Sequence, residues 1–439
     1  MKKLVVLLFI AVLLSACLPQ NMQVPQSPLL PFLERKSGLI AYIGADWNIY
    51  TADQAGKKLT TYTDDALIPT NATDPFRYYA YPVWSADSNS LGFVGVSGQG
   101  TTSSADVYIA PVEEEARKVY SSESEHPFYL SWSPDNTNLG FLSSASNEQS
   151  MILQSVSSAS EDRTVIDTGS PYYWSWAPDG KTMIVHAGSA QSAVPEHMAF
   201  LSLGSDITED GIDTVPISFQ APAWSPDGQR ILMTRVNDQK ENEIIVTNGH
   251  GEFEKAIDTF DLNTAFAWSY HSDMIAYIKG KQPIAAGVLG SLHIVDVETK
   301  EELFKEEEDV LAFFWSPNDR KLAYFIPRLS TGSDSSSGQS DSSSGEQQQQ
   351  LLLTLKMLDL DTGESKELFT FQPTDQFSSI LPYFDQYHQS ATIWSPDSNN
   401  LVLSFMANDG TPGIAVVAAS GQLEPRIIAQ GYLAFWSRK

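Results

Sequence analysis

Tryptophan recurring every 42–48 residues with one longer interval, a tight-turn signature after each, and short apolar strands flanking each turn predict an all-β fold of repeated four-stranded units, a β-propeller. Trp84, Trp132, Trp176, Trp224, Trp268, Trp315, Trp394 and Trp436 mark the repeat, at intervals of 48, 44, 48, 44, 47, 79 and 42 residues. The segments they open read W-S-A-D-S, W-S-P-D-N, W-A-P-D-G, W-S-P-D-G, W-S-Y-H-S, W-S-P-N-D, W-S-P-D-S and W-S-R.

Each unit has the same physical logic. An apolar strand ends on the tryptophan. Proline then presets φ, aspartate bonds nearby backbone N–H groups, and glycine tolerates positive φ. Second strands follow at Leu91–Val96, Leu139–Leu142, Met183–Val185, Ile231–Thr234, Met274–Ile278, Leu322–Ile326 and Leu401–Phe405. Third strands read at Asp106–Ala110, Met151–Val156, Met198–Leu203, Glu243–Thr247 and Ser291–Asp296, and a polar fourth strand ends the unit. Seven units are complete. Gly431–Trp436 reads as a first strand without successors, and Gly38–Ile43, Trp47–Thr51 and Lys58–Tyr62 as later strands without a predecessor. Joined, they make an eighth, closing blade that leaves no open sheet edge. Eight blades is therefore the expectation. Seven is the alternative if the irregular unit at Trp268 is displaced.

These W-S-P-D-G-like turns and the strands after them resemble the WD40-like, or PD40, repeats of the TolB-type propeller family, over nearly all of residues 38–439. The resemblance implies the architecture and says almost nothing of function. The long interval has a visible source. Residues 330–350 are Ser-, Gly- and Gln-rich, cannot bury apolar surface, and are predicted disordered between the second and third strands of the sixth unit.

The N-terminus predicts export. Lys2 and Lys3 precede an 11-residue apolar run, Leu4 to Leu14, then Ser15, Ala16 and Cys17. That is a secretory signal, too short to span a bilayer core of roughly 20 helical residues. Leu14-Ser15-Ala16-Cys17 resembles the bacterial lipobox, which implies cleavage after residue 16 and lipidation of Cys17. Cys17 is the only cysteine of the chain, as expected if its thiol is consumed by lipid. Residues 1–16 then form the signal, 17–37 a lipidated, Pro-rich tether, and 38–439 the propeller. The expected location is the cell envelope, outside the cytoplasm, with the membrane as partner through the acyl anchor.

Composition narrows the function. The chain carries 27 basic against 54 acidic residues, and loss of Lys2 and Lys3 with the leader moves the net charge from −27 to −29. Such a surface repels phosphate backbones, so nucleic acid is not expected as a partner. No G-x-S-x-G elbow and no H-x-H or H-E-x-x-H pattern occurs, and a repeated quinone-enzyme tryptophan motif is absent. No cofactor and no metal are expected. Asp359-Leu360-Asp361-Thr362-Gly363-Glu364 reads as a strand-to-strand turn rather than a calcium loop.

The remaining signal is aromatic. Segments leading into the innermost strands carry Tyr78, Tyr79 and Tyr81; Phe128 and Tyr129; Tyr172, Tyr173 and Trp174; and Tyr383, Phe384 and Tyr387. Aromatics suit partner surfaces, although alternate residues of each strand face the core. Asp64, Asp65, Asp74, Glu123, Glu125 and Asp385 lie near them in sequence. The expectation is a monomeric, non-catalytic module that binds an envelope protein or peptide, the alternative being a receptor or enzyme for extracellular carbohydrate.

Overall fold

The computed structural model describes residues 38–439 apart from 146–149, 161, 189–196, 213–216, 218–219 and 331–349. The expected signal, Cys17, the expected tether and nearly all of the Ser/Gln-rich insertion thus lie outside the described residues.

The strands form seven separate hydrogen-bonded sheets. Six are four-stranded and antiparallel, with strands in sequence order from the innermost outward. Their innermost strands are Pro75–Trp84 (blade 1), Glu125–Trp132 (blade 2), Tyr172–Trp176 (blade 3), Ala223–Trp224 (blade 4), Thr264–Trp268 (blade 5) and Ala312–Trp315 (blade 6). The seventh sheet has six strands, in which Asn400–Met406, Pro412–Ala418, Arg426–Trp436, Ile40–Gly44, Ile49–Ala52 and Thr60–Thr61 follow one another. Counted by sheet, the ring is seven-bladed, and the expected eight separate blades are corrected. The reason is one long strand. Arg426–Gln430 pairs with Pro412–Ala418 on one side, while Gly431–Trp436 continues into register with Ile40–Gly44. The repeat of Trp394 and the closing repeat are therefore fused into blade 7, and the Trp268 unit is not displaced. As expected, the N-terminal strand pairs with the C-terminal one, Ile40 opposite Trp436, and closes the ring.

The tryptophans fasten neighbouring repeats. Most indole N–H groups donate to the carbonyl of the residue just before the previous repeat's tryptophan: Trp132 to Val83 (3.3 Å), Trp176 to Ser131 (3.3 Å), Trp268 to Ala223 (3.0 Å), Trp315 to Ala267 (3.4 Å) and Trp394 to Phe314 (2.9 Å), whereas the buried Trp224 indole N–H has no such partner. Trp84 donates to Phe435 (3.3 Å) across the closure. A ring of tryptophans thus satisfies backbone carbonyls that burial would otherwise strand.

The turns explain the Ser and Asp of the motif. Ser85, Ser133, Ser225 and Ser395 Oγ donate to Asp87, Asp135, Asp227 and Asp397 at 2.6–2.7 Å. The same hydroxyls accept the backbone N–H five residues on, at 2.9–3.0 Å. The next motif position has positive φ in every full turn. It is glycine at Gly180 and Gly228, but Ser88, Asn136, Ser272, Asp319 and Ser398 elsewhere. Four of those side chains offset the strain by reaching another turn. Asn136 accepts from Asp87 N, Ser272 from Asp227 N, Ser398 from Asn318 N, and Asp319 from Tyr270 N and His271 N. At Gly180 a Cβ would lie 2.7 Å from the Asp135 carboxyl carbon, so any side chain there would have to displace that carboxylate.

A helical segment occupies the middle of the ring. Thr374 caps α1 (Asp375–Ile380) by accepting from Phe377 N. Leu381–Tyr383 forms one 3-10 turn, and α2 (Phe384–Ser390) follows. Phe377, Ile380, Leu381 and Phe384 are all at most 2 % exposed. They pack on blade 6, with Phe384 4.6 Å from Phe313 and Phe377 5.6 Å from Phe325 between ring centroids. The 79-residue interval therefore holds two insertions, this plug and the Ser/Gln-rich stretch. The latter falls between Lys321–Ser330 and Gln350–Asp359, the second and third strands of blade 6, where the sequence places it.

Candidate functional site

The innermost strand of a blade has a free edge facing the central channel, with N–H and C=O groups that no further strand pairs. Helix α2 serves those edges with side chains. The Gln386 amide copies a peptide group: Oε1 accepts from Trp174 N (3.0 Å) and Nε2 donates to Trp174 O (2.8 Å). Nε2 also reaches Tyr129 Oη (2.9 Å), whose hydroxyl donates to the Gln386 carbonyl (2.9 Å). Asp385 accepts from Ala221 N (3.2 Å), and Gln389 donates to Pro222 O (3.2 Å). The His388 imidazole bonds the Trp268 backbone. In this way α2 docks on blades 2, 3, 4 and 5 and bars the channel.

Above α2, at the lead-in end of the innermost strands, lies a 370 Å³ pocket. Seven of the sequence-derived aromatics meet there: Tyr81, Phe128, Tyr129, Tyr172, Tyr173, Tyr383 and Tyr387. Two β-bulges place the first of them. Pairing skips Tyr81–Pro82 between Ala80 and Val83, and skips Phe128 between Pro127 and Tyr129. Bulges re-aim side chains at a sheet edge, and here they direct Tyr81 and Phe128 to the pocket. Tyr129 and Tyr172 form its buried back wall, with Tyr129 edge-on to Tyr387 at 5.2 Å and Tyr172 Oη bonded to Asp167 at 2.7 Å. Tyr383 is 40 % exposed at the rim. Burial pushes the Tyr129 hydroxyl up to about 12 and raises Tyr81, Tyr173 and Tyr387, so all stay protonated at neutral pH.

The other four candidates lie elsewhere. Trp174 is 1 % exposed and packs on Trp176 and Tyr129 in the blade core. Tyr79 is buried in blade 1, edge-on to Phe93, its hydroxyl on Asp65 at 2.6 Å. Phe384 anchors the plug. Tyr78 joins a separate aromatic ledge with Trp47 and Phe76, where Trp47 stacks on Tyr432 at 4.5 Å. Sequence reading missed Trp47 and Tyr432, because neither sits in a lead-in cluster.

The nearby acids are mostly engaged locally. Asp65 pairs with Arg77, and Asp74 accepts from Thr70 and Asn71. Glu125 binds Tyr120, Gln154 and Arg163. Hydrogen bonds from neighbours hold Asp65, Asp74 and Glu125 below the usual carboxylate range against the opposing effect of burial. Asp385 points to the far side of the plug, into a cavity lined by Trp132, Trp176, Trp268 and the turn prolines Pro134, Pro178 and Pro226.

One side-chain chain has hydrolase-like order. Ser291 Oγ lies 3.0 Å from His293 Nε2, and His293 Nδ1 lies 2.8 Å from Glu302. Ser291 and His293 are 6 % and 5 % exposed, and Tyr277 lies flat on the imidazole at 5.2 Å. Within blade 5 a substrate carbonyl has no approach, so the group reads as a strand-to-strand network. Among the described residues no group of three or more His, Cys, Asp or Glu is placed to hold a metal, and no helix is long and apolar enough to cross a membrane.

A closed antiparallel ring with tryptophan-fastened repeats and a plugged channel defines a β-propeller whose pockets lie at its two ends. The profile of the TolB beta propeller domain, PD40, matches residues 45–318, and the chain belongs to that family. Curated protein sequences give no match. Among solved structures, TolB from Acinetobacter baumannii aligns at 13 % identity over 83 % of this chain and 67 % of that one, with a TM-score of 0.39. The dihydro-heme d1 dehydrogenase NirN aligns at 12 % identity over 96 % of this chain and 78 % of its own, with a TM-score of 0.52. A prolyl endopeptidase aligns at 11 % identity over 82 % of this chain and 50 % of its own, with a TM-score of 0.51. At these identities the likeness is one of fold.

Proposed function

We propose that this protein is an extracytoplasmic lipoprotein, acylated at Cys17, whose propeller is a non-catalytic docking module for a protein or peptide of the cell envelope. The observation that carries the reading is the upper pocket, where seven aromatics from blades 1, 2 and 3 and the plug converge. With its nearest acids engaged by neighbours, that pocket favours an apolar or aromatic peptide side chain over a strongly basic one. Helix α2 excludes threading through the channel, so a partner engages from the lead-in end. The described chain begins at the opposite, turn end, where Leu39 N bonds Ser437 Oγ. A tether running from there to a membrane leaves the aromatic end free.

Acyl-chain labelling of wild type and Cys17→Ala tests the anchor, label on wild type alone being the expected result. Affinity capture with the Tyr173→Ala/Tyr383→Ala variant tests the pocket. Partner retention unchanged by both substitutions would contradict it. Stabilisation by oligosaccharides in place of a protein partner would favour the carbohydrate reading.

A further inference from the structure

The underside of α2 closes a second cavity, of 260 Å³, at the turn end of the ring. Its walls are aromatic, from Trp132, Trp176, Trp268 and Tyr270, and Asp385, His388 and Arg438 also line it. Asp385 is 5 % exposed. Its carboxyl accepts two backbone N–H groups, Gln386 at 2.9 Å and Ala221 at 3.2 Å. A carboxylate offers about four acceptor positions, so two remain open. Burial pushes the group up to about 6, opposed only by backbone hydrogen bonds. At neutral pH it is ionised, and no cation pairs with it among the described residues.

Arg438 faces the same cavity. Its guanidinium donates to the Gln389 carbonyl at 2.6 Å, leaving most of its five donors free. No carboxylate pairs with it among the described residues, and its charge reaches His388, Tyr270 and Tyr129. His388 Nδ1 also lacks a partner there. Two opposite charges thus line one small aromatic chamber without meeting. Charge withdrawn from water is costly unless paired, which holds for the buried Asp385, while the partly exposed Arg438 turns unpaired donors to the same chamber.

We propose that this lower chamber binds a small zwitterion of free amino-acid size. Its carboxylate faces Arg438, its ammonium faces Asp385, and its apolar part lies against the tryptophan walls. A simple anion would meet Asp385 unfavourably, and a simple cation would meet Arg438. The cavity volume excludes a folded partner. The site is separated from the upper pocket by α2 and stands independently of the docking function.

The test is thermal unfolding and calorimetric titration of the purified full chain with L-leucine and L-phenylalanine. N-acetyl-L-phenylalanine and L-phenylalaninamide serve as blocked counterparts. At ten times its Kd, a free amino acid is expected to raise the folded-to-unfolded ratio about elevenfold. Each blocked counterpart lacks one charge and is expected to bind at least about tenfold more weakly, the loss of one charge-assisted hydrogen bond. Arg438→Gln is expected to abolish the response while the protein still folds, since only its one bond to the Gln389 carbonyl is lost. Asp385→Asn is expected to do the same for the ammonium half. Asp385 also fastens the plug, so Arg438→Gln decides the matter if Asp385→Asn fails to fold. No response to either amino acid at millimolar concentration would overturn the proposal, as would equal binding of the blocked forms or an unchanged response in Arg438→Gln.

Discussion

Gln386→Leu removes the amide that fastens the plug to blades 2 and 3 while keeping side-chain volume near native. Three hydrogen bonds are lost: Trp174 N to Oε1, and Nε2 to Trp174 O and to Tyr129 Oη. Gln386 is 4 % exposed and Trp174 1 %, so water replaces these bonds poorly. At a net 0.5–1.5 kcal/mol per bond the cost is about 3 kcal/mol, rising if the Trp174 backbone groups are left bare. Unfolding entropy of roughly 2 cal/mol/K per residue converts that, over about 400 residues, to a Tm drop of about 3–4 °C. Differential scanning calorimetry and urea unfolding of wild type and variant read it directly. A Gln386→Leu protein within about 0.5 kcal/mol of wild type would refute the claim that this amide stands in for a missing strand, since loss of even one such bond exceeds that margin.

Other outcomes follow from the same geometry. Asn136 sits at φ 62 and accepts from Asp87 N. Asn136→Ala should therefore cost about 2 kcal/mol and Asn136→Gly about 1 in urea unfolding, because glycine sheds the left-handed strain and alanine keeps it. Burial raises Asp385 from 3.8 to about 6 and lowers His388 from 6.5 to about 4. Between pH 4 and 6 folded Asp385 holds a proton that the unfolded chain releases, so its contribution falls as pH rises. Over nearly the same window the unfolded chain binds a proton that folded His388 refuses, so that contribution rises with pH. The two offset each other. Relative to wild type, Asp385→Asn should gain stability from pH 4 to 6 and His388→Gln should lose it, each by up to about 3 kcal/mol. Chemical denaturation across that range measures both slopes, and slopes of the same sign would contradict the assignment.

The repeat was legible because its marks are physical necessities. Six of the tryptophans bond a neighbouring repeat's backbone, and each Ser–Asp pair closes a turn, so the residues recur wherever the geometry does. Blade count was less legible. The fusion of two repeats rests on Arg426–Trp436 running straight through, and nothing in R-I-I-A-Q-G-Y-L-A-F-W distinguishes one long strand from two. The plug escaped sequence reading because its helices are 6 and 7 residues long, below the length at which periodicity is informative. Its aromatics, Tyr383, Phe384 and Tyr387, were recognised as a cluster, yet Phe384 turned inward as an anchor. Tyr79 and Trp174 went to the core by strand alternation. Tyr81 and Phe128 reached the pocket through bulges that no local residue pattern announces. Asp385 and Arg438 are 53 positions apart and face one cavity only because the ring closes.

On the docking function proposed above, the aromatic pocket at the lead-in end holds an envelope protein. Site-specific photocrosslinking in cells puts this to the test, with a benzophenone amino acid at Tyr173 or Tyr383 of the full chain and a control at Tyr50 in blade 7. One defined heterologous adduct is expected from both pocket positions and none from the control. Adducts from the control alone, or none from either pocket position, would contradict it.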